Sequence, residues 1–151
     1  MKRNKDLINE FKMQIPSSSV NEGFTRRVFS DFISMYDPTL NEIADIRTAV
    51  SEAVTTCIVH AYKERGGTIY ISGKYFADRT FEIKIRDKGC GIENIEKAKE
   101  PLYTTDTSGE RGGMGFAIMS SFTDKLKVSS KIGVGTTVTM IKNLNKNAEN
   151  R

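Results

Sequence analysis

The sequence predicts an α+β fold, a two-layer α/β sandwich with helices on one face of a mostly antiparallel sheet. Two observations carry that expectation. Segments with apolar residues at every second position stand at the start and in the second half of the chain, and two long stretches of helical apolar spacing lie together between them. Strands and helices therefore come in groups, not in the strict alternation of a parallel sheet. A chain of 151 residues fits a single domain, 1–142, followed by a polar tail, 143–151, of disordered composition.

Each element has its own signal. Leu7 to Ile15 reads as a first strand carrying Phe11, Met13 and Ile15, broken by Pro16 and the N-cap candidates Ser17 to Ser19. Val20, Phe24, Val28, Phe32 and Tyr36 then recur every four residues with Phe29 and Ile33 beside them, which predicts an amphipathic helix with Arg26 and Arg27 on its solvated side. Asp37-Pro38-Thr39 ends it and opens a longer helix, Leu40 to Glu64, closed by Gly66-Gly67. Its apolar set is broad, and a polar line of Asp45, Thr48, Glu52, Thr55 and Thr56 runs beside it. Thr68 to Ser72 and Thr80 to Ile85 predict a hairpin joined through Phe76 to Arg79. Asn94 to Glu100 reads as a short helix stopped by Pro101, and Leu102 to Arg111 as a polar lid or binding loop. Gly112-Gly113-Met114-Gly115 opens another helix, and Lys125 to Ser130 with Thr136 to Lys142 form a last strand pair turned by Gly133-Val134-Gly135.

Composition narrows the function. No run of about eighteen apolar residues exists to span a membrane, and the basic Met1 to Asp6 segment lacks a signal-peptide core, which points to the cytoplasm. The formal charge of +4 is modest, and no Lys/Arg block or aromatic–basic repeat argues for direct nucleic-acid binding. Cys57 and Cys90 read as free thiols, neither a disulfide framework nor a zinc site. His60, the only histidine, has no nucleophile motif with it and reads as a packing or surface residue.

Three places carry chemistry. Asp87 ends the strand Phe81 to Ile85 and is followed by Gly89 and Gly91; a carboxylate there can accept from an exocyclic amine while glycines let backbone pass close to a flat ring. An ordinary turn uses the same residues. Glu52 stands mid-helix with Thr56, not a base, at i+4; it is either an exposed glutamate or a half-buried carboxylate suited to work as a base. Gly112, Gly113 and Gly115 at a helix start expose N–H groups to an anion such as a phosphate.

At these residues the chain resembles a known family. Asp87-Lys88-Gly89-Cys90-Gly91 is similar to the adenine-binding box of the GHKL (Bergerat-fold) ATPases, and Gly112-Gly113-Met114-Gly115 to their phosphate-side glycine box. Ser51-Glu52-Ala53-Val54-Thr55, Pro101-Leu102-Tyr103-Thr104-Thr105 and Glu110 to Phe116 narrow the resemblance to the small serine kinases that act as sporulation anti-sigma F factors, over Val20 to Met140. The resemblance implies ATP/ADP and Mg²⁺ as cofactors, Glu52 as general base, and Asp87 on the adenine amine supported by Thr136. It implies Gly89, Gly91, Gly112, Gly113, Met114 and Gly115 around the pocket, and Thr104 and Thr105 on the nucleotide lid. It also implies Arg26 and Arg111 on a surface shared by a sporulation sigma factor and an anti-anti-sigma protein substrate, in a homodimer.

One position departs from the family pattern Glu-x-x-x-Asn, whose Asn oxygen ligates magnesium: here it is Thr56. A hydroxyl is a shorter and weaker ligand, although magnesium keeps several waters through which Thr56 can act. Two expectations follow. Either the protein is an active serine kinase, or it is a nucleotide-binding anti-sigma module with impaired phosphate transfer, because that reaction depends on positioning and charge neutralisation.

Overall fold

The computed structural model describes residues 6–63, 65–98 and 115–144. Strand β1 (Leu7–Pro16) precedes helices α1 (Val20–Ser34) and α2 (Leu40–Thr56), and α2 runs directly into a π-helical turn, Cys57–Ala61. The hairpin β2 (Thr68–Phe76) and β3 (Thr80–Asp87), the short helices α3 (Ile95–Ala98) and α4 (Gly115–Ser121), and the hairpin β4 (Lys125–Lys131) and β5 (Gly135–Asn143) follow. The strands form one sheet in the order β1-β2-β3-β5-β4, with each neighbouring pair antiparallel. This is the expected α+β architecture. Among the described residues no helix is long and apolar enough to cross a membrane.

Period-two alternation decides which side of the sheet is buried. In register, Met13, Ile71, Ile85, Val138 and Val128 make one transverse row under the helices. The next row is Phe11, Gly73, Ile83, Met140 and Leu126. Gly73 belongs there because a Cβ would come within 2.5 Å of the Phe11 ring. Phe29 of α1, fully buried, meets the Phe11 ring at a centroid distance of 5.0 Å and the Phe81 ring at 5.9 Å, and so ties helix to sheet.

The line of α1 that faces the core differs from the one expected. Thr25, Phe29, Phe32 and Ile33 are buried, while Val20 and Phe24 are 76% and 42% exposed. A spacing of four overshoots the turn of about 3.6 residues, so an every-fourth line drifts off the buried face within two steps. Thr25 is tolerated in the core because its hydroxyl donates to the Asn21 carbonyl at 2.8 Å. Helix α2 begins with a reciprocal cap: Thr39 Oγ1 accepts from the Glu42 amide at 3.1 Å, and the Thr39 amide donates to Glu42 Oε1 at 2.8 Å.

The end of that helix also differs. The α-helix stops at Thr56, the π turn closes with Tyr62 N–H donating to the Cys57 carbonyl at 2.9 Å, and Lys63 reverses the chain at φ 50° before Gly66 is reached. Among the described residues helix α3 covers Ile95–Ala98 of the expected segment, and Lys99, Glu100 and Pro101 lie outside them. Asn143 and Leu144, expected in the tail, instead extend the domain: Asn143 pairs with Thr80, and Leu144 is 3% exposed with its amide on the Arg79 carbonyl. Residues 145–151 lie outside the described residues.

Phe29→Ala removes the ring that bridges both layers and leaves a cavity that the sheet cannot collapse to fill. A loss of about 3–5 kcal/mol in unfolding free energy is expected, measured from the shift in urea midpoint.

Candidate functional site

A cavity of about 280 Å³ opens between α2 with its π turn and the ends of β3 and β5; Glu52, Thr56, Cys57, Asp87, Gly115 and Thr136 are on its wall. Asp87 forms its deep end. As the last residue of β3 it is only 4% exposed. Its Oδ1 accepts from the Gly89 amide at 2.9 Å and from the Thr136 amide at 3.3 Å. Its Oδ2 accepts from the Cys57 thiol at 3.6 Å, a weak donor, so this oxygen retains capacity for a stronger donor in the cavity. Burial raises the Asp87 pKa, and the bonds from Gly89, Cys57 and Thr136 oppose that rise. Burial, and then the charge of Asp87, push the Cys57 thiol well up, which keeps it protonated and donating.

The two glycines after Asp87 stand differently towards the cavity. Gly89 is not on the cavity wall; a Cβ there would lie 2.4 Å from the Ala61 carbonyl oxygen, so its role is to let the π turn press against the loop. Gly91 does line the cavity, at φ +81°, where a Cβ would lie 2.3 Å from the Lys131 carbonyl oxygen. The Cys90 amide donates to the Ala61 carbonyl at 3.1 Å and fixes that contact.

At the other end, Glu52 and Thr56 occupy successive turns of α2. The Thr56 hydroxyl donates to the Glu52 carbonyl at 2.8 Å, which commits its proton and leaves its lone pairs. The first residue of α4 meets both: a Cβ on Gly115 would lie 3.1 Å from Thr56 Oγ1 and 3.7 Å from Glu52 Oε1. The fold thus gathers Glu52, Thr56, Gly115, Asp87, Gly91 and Thr136 into one cavity. Thr104, Thr105, Arg111, Gly112, Gly113 and Met114 lie outside the described residues.

A metal would find few protein donors here. Among the described residues no group of three or more His, Cys, Asp and Glu side chains is placed to cage an ion. Thr56 Oγ1 and the nearby Glu52 carboxylate fit a hard cation held mainly by phosphate oxygens and waters, the usual manner for magnesium.

Four participants were not singled out from the sequence. Cys57 is the thiol on Asp87. His60, expected to be a packing or surface residue, lines the cavity. Ser130 Oγ accepts from the Ile92 amide at 2.8 Å and lies 2.7 Å from Thr136 Oγ1, which joins β4, the glycine loop and β5. Ser51 Oγ lies 3.3 Å from Arg26 Nη1 and bonds to Glu22 as well. Arg26 itself is held by Glu22 Oε2 at 2.9 Å and lines a second, shallow groove with Leu40, Ile43, Arg47, Ser51 and Glu52. Glu52 therefore stands where the groove meets the cavity.

Comparison with known proteins gives the family and the fold. Residues 16–142 match the model of the histidine kinase-like ATPase domain. The anti-sigma F factor of Caldanaerobacter subterraneus subsp. tengcongensis is 48% identical over 139 residues, 92% of this chain and 96% of that protein. That of Clostridium acetobutylicum is 48% identical over 136 residues, 90% of this chain and 94% of the other. In fold, the chain superposes on the RsbU and RsbW domains of a Mycobacterium tuberculosis protein with a TM-score of 0.66 at 17% identity, over 91% of this chain and 33% of that one. The catalytic domain of the histidine kinase ThkA gives a TM-score of 0.56 at 15% identity, over 91% of this chain and 97% of that one.

The raised Asp87 pKa has a sign that can be measured. The stability it contributes is present below the ordinary carboxylate range and is lost as pH rises through the raised folded value. Asp87→Asn should therefore gain stability relative to the natural protein between about pH 4 and about pH 7. Urea melts of both proteins at the two pH values read this difference.

Proposed function

This chain belongs to the anti-sigma F factors and to the histidine kinase-like ATPase domain family, and from that membership we propose how its cavity is used. The protein holds a sporulation sigma factor and uses ATP to phosphorylate a serine of an anti-anti-sigma protein, acting as a homodimer in the cytoplasm. The observation that supports this most is the single cavity with Asp87 at one end and Glu52, Thr56 and Gly115 at the other.

Asp87 Oδ2 accepts from the exocyclic amine of adenine, while Thr136 and Gly89 hold the other carboxylate oxygen in place. Gly91 keeps the wall beside the ring free of side-chain atoms. Gly112 to Gly115 serve the phosphates and Thr104 and Thr105 the nucleotide lid, while Arg111 belongs with Arg26 to the partner surface. Glu52 accepts the proton of the incoming serine hydroxyl, at the point where the groove beside Arg26 reaches the cavity. Arg26, braced by Glu22 and Ser51, presents its guanidinium to either protein partner. Magnesium, when bound beside Thr56 and Glu52, would neutralise phosphate charge.

Two experiments test the reading. Phosphate transfer from labelled ATP to the anti-anti-sigma protein is expected for the natural sequence, with a loss of about 100-fold or more in Glu52→Gln. Transfer absent from the natural protein and restored in Thr56→Asn would show instead a binding module that lacks its metal ligand. Arg26→Ala should weaken the sigma complex at least about tenfold with ATP affinity unchanged, measured by calorimetry; an unaltered sigma complex would remove Arg26 from the partner surface.

A further inference from the structure

The helices cover one face of the sheet, and the other face carries the basic residues. Lys12 pairs with Ser72, Ser72 with Lys84, Lys84 with Thr139 and Thr139 with Lys127, so this row crosses every strand. The adjoining row is Gln14, Tyr70, Arg86, Thr137 and Ser129, and Lys88 and Lys131 lie just beyond it. Lys12, Lys84, Arg86, Lys88, Lys127 and Lys131 are all exposed. No ion pair among the described residues involves any of them. The acids of this face, Glu10 and Glu82, both stand opposite Lys74 in a row that balances itself. Among the described residues this flat surface thus carries six exposed cations outside ion pairs.

Two features say what such a surface takes. Strands lie about 4.8 Å apart, so lysines two strands apart stand about 10 Å from one another, with small hydroxyl side chains between them. That is a broad spread of cations and donors, and Tyr70 is the one aromatic or large apolar side chain of these two rows that could anchor a protein partner. At its centre Tyr70 carries Arg86 Cζ and Lys88 Nζ, each 4.9 Å from the ring centroid. Both cations lie over the ring, which holds Arg86 and Lys88 side by side as a paired donor for phosphate. Charge complementarity therefore favours a polyanion with regularly spaced phosphates.

We propose that the open face of the sheet binds nucleic acid through its phosphodiester backbone, without reading sequence, with Arg86 and Lys88 held over Tyr70 among its phosphate contacts. The nucleotide cavity lies on the opposite, helical side of the sheet, so this surface is separate from the site described above.

The test is fluorescence anisotropy of the full-length protein with a labelled single-stranded DNA of mixed sequence, titrated between about 50 and 200 mM salt. Binding at low salt should fall steeply as salt rises. Lys84→Gln combined with Lys127→Gln should flatten the logarithmic salt dependence by roughly one for each lysine removed, with ATP affinity of the same preparation unchanged. Tyr70→Ala should weaken binding at low salt, because Arg86 and Lys88 lose the ring that positions them. No binding at low salt, or an unchanged salt slope in the double variant, would overturn the proposal. Displacement of the DNA by poly-glutamate at lower charge concentration than by unlabelled DNA would also overturn it, and would assign the face to an acidic protein.

Discussion

A carboxylate taken almost wholly out of water is the constraint around which this molecule is arranged. Asp87 is tolerable there only because neighbouring groups replace its hydration, and each replacement fixes a different part of the chain. The Gly89 amide bends the loop after β3, the Thr136 amide registers β5 against β3, and the Cys57 thiol ties the end of α2 to the sheet. The same bonds leave one carboxylate oxygen addressed only by a thiol. The geometry that reduces the cost of burial therefore also orients an acceptor into the cavity.

The π turn is the second part of that arrangement. One additional residue in a helical turn shifts everything after it round the helix axis. Here the turn begins at Cys57, the residue that meets Asp87, and its last residue, Ala61, offers the carbonyl that receives the Cys90 amide. Glu52 and Thr56, on the regular α-helix before it, keep i, i+4 spacing and stand on one wall. A regular helix continued to Ala61 would place either the thiol or the loop contact wrongly. The change of winding lets one segment present two groups to the cavity and then dock the glycine loop.

Much of this was legible in the sequence, for physical reasons specific to each part. Period two identified the strands, and Asp87 could be picked out because a carboxylate and glycines ended one of them. What escaped was whatever depends on contact between distant segments. Ser130 and Cys57 carry no local signal, since a serine in a strand and a cysteine in an apolar helix stripe are ordinary residues. The buried line of α1 escaped because spacing in the sequence does not say which of two adjacent lines meets the sheet, and the end of α2 because a π turn and a non-glycine residue at positive φ, Lys63, end the helix with no local signal. The basic face escaped for a related reason: its lysines are separated by apolar residues along each strand, so no charged block exists until the strands lie side by side.

The turn between β2 and β3 holds both ends of the described domain. The Ala77 amide donates to the Asp6 carbonyl at 2.8 Å, and the Leu144 amide donates to the Arg79 carbonyl at 2.9 Å. That turn lies at the end of β3 opposite Asp87. Asp6 and Leu144 are therefore both held at the far end of the sheet from Asp87. The described domain is thus clasped at one pole and open to ligands at the other, with its two outermost residues, Asp6 and Leu144, both in the clasp.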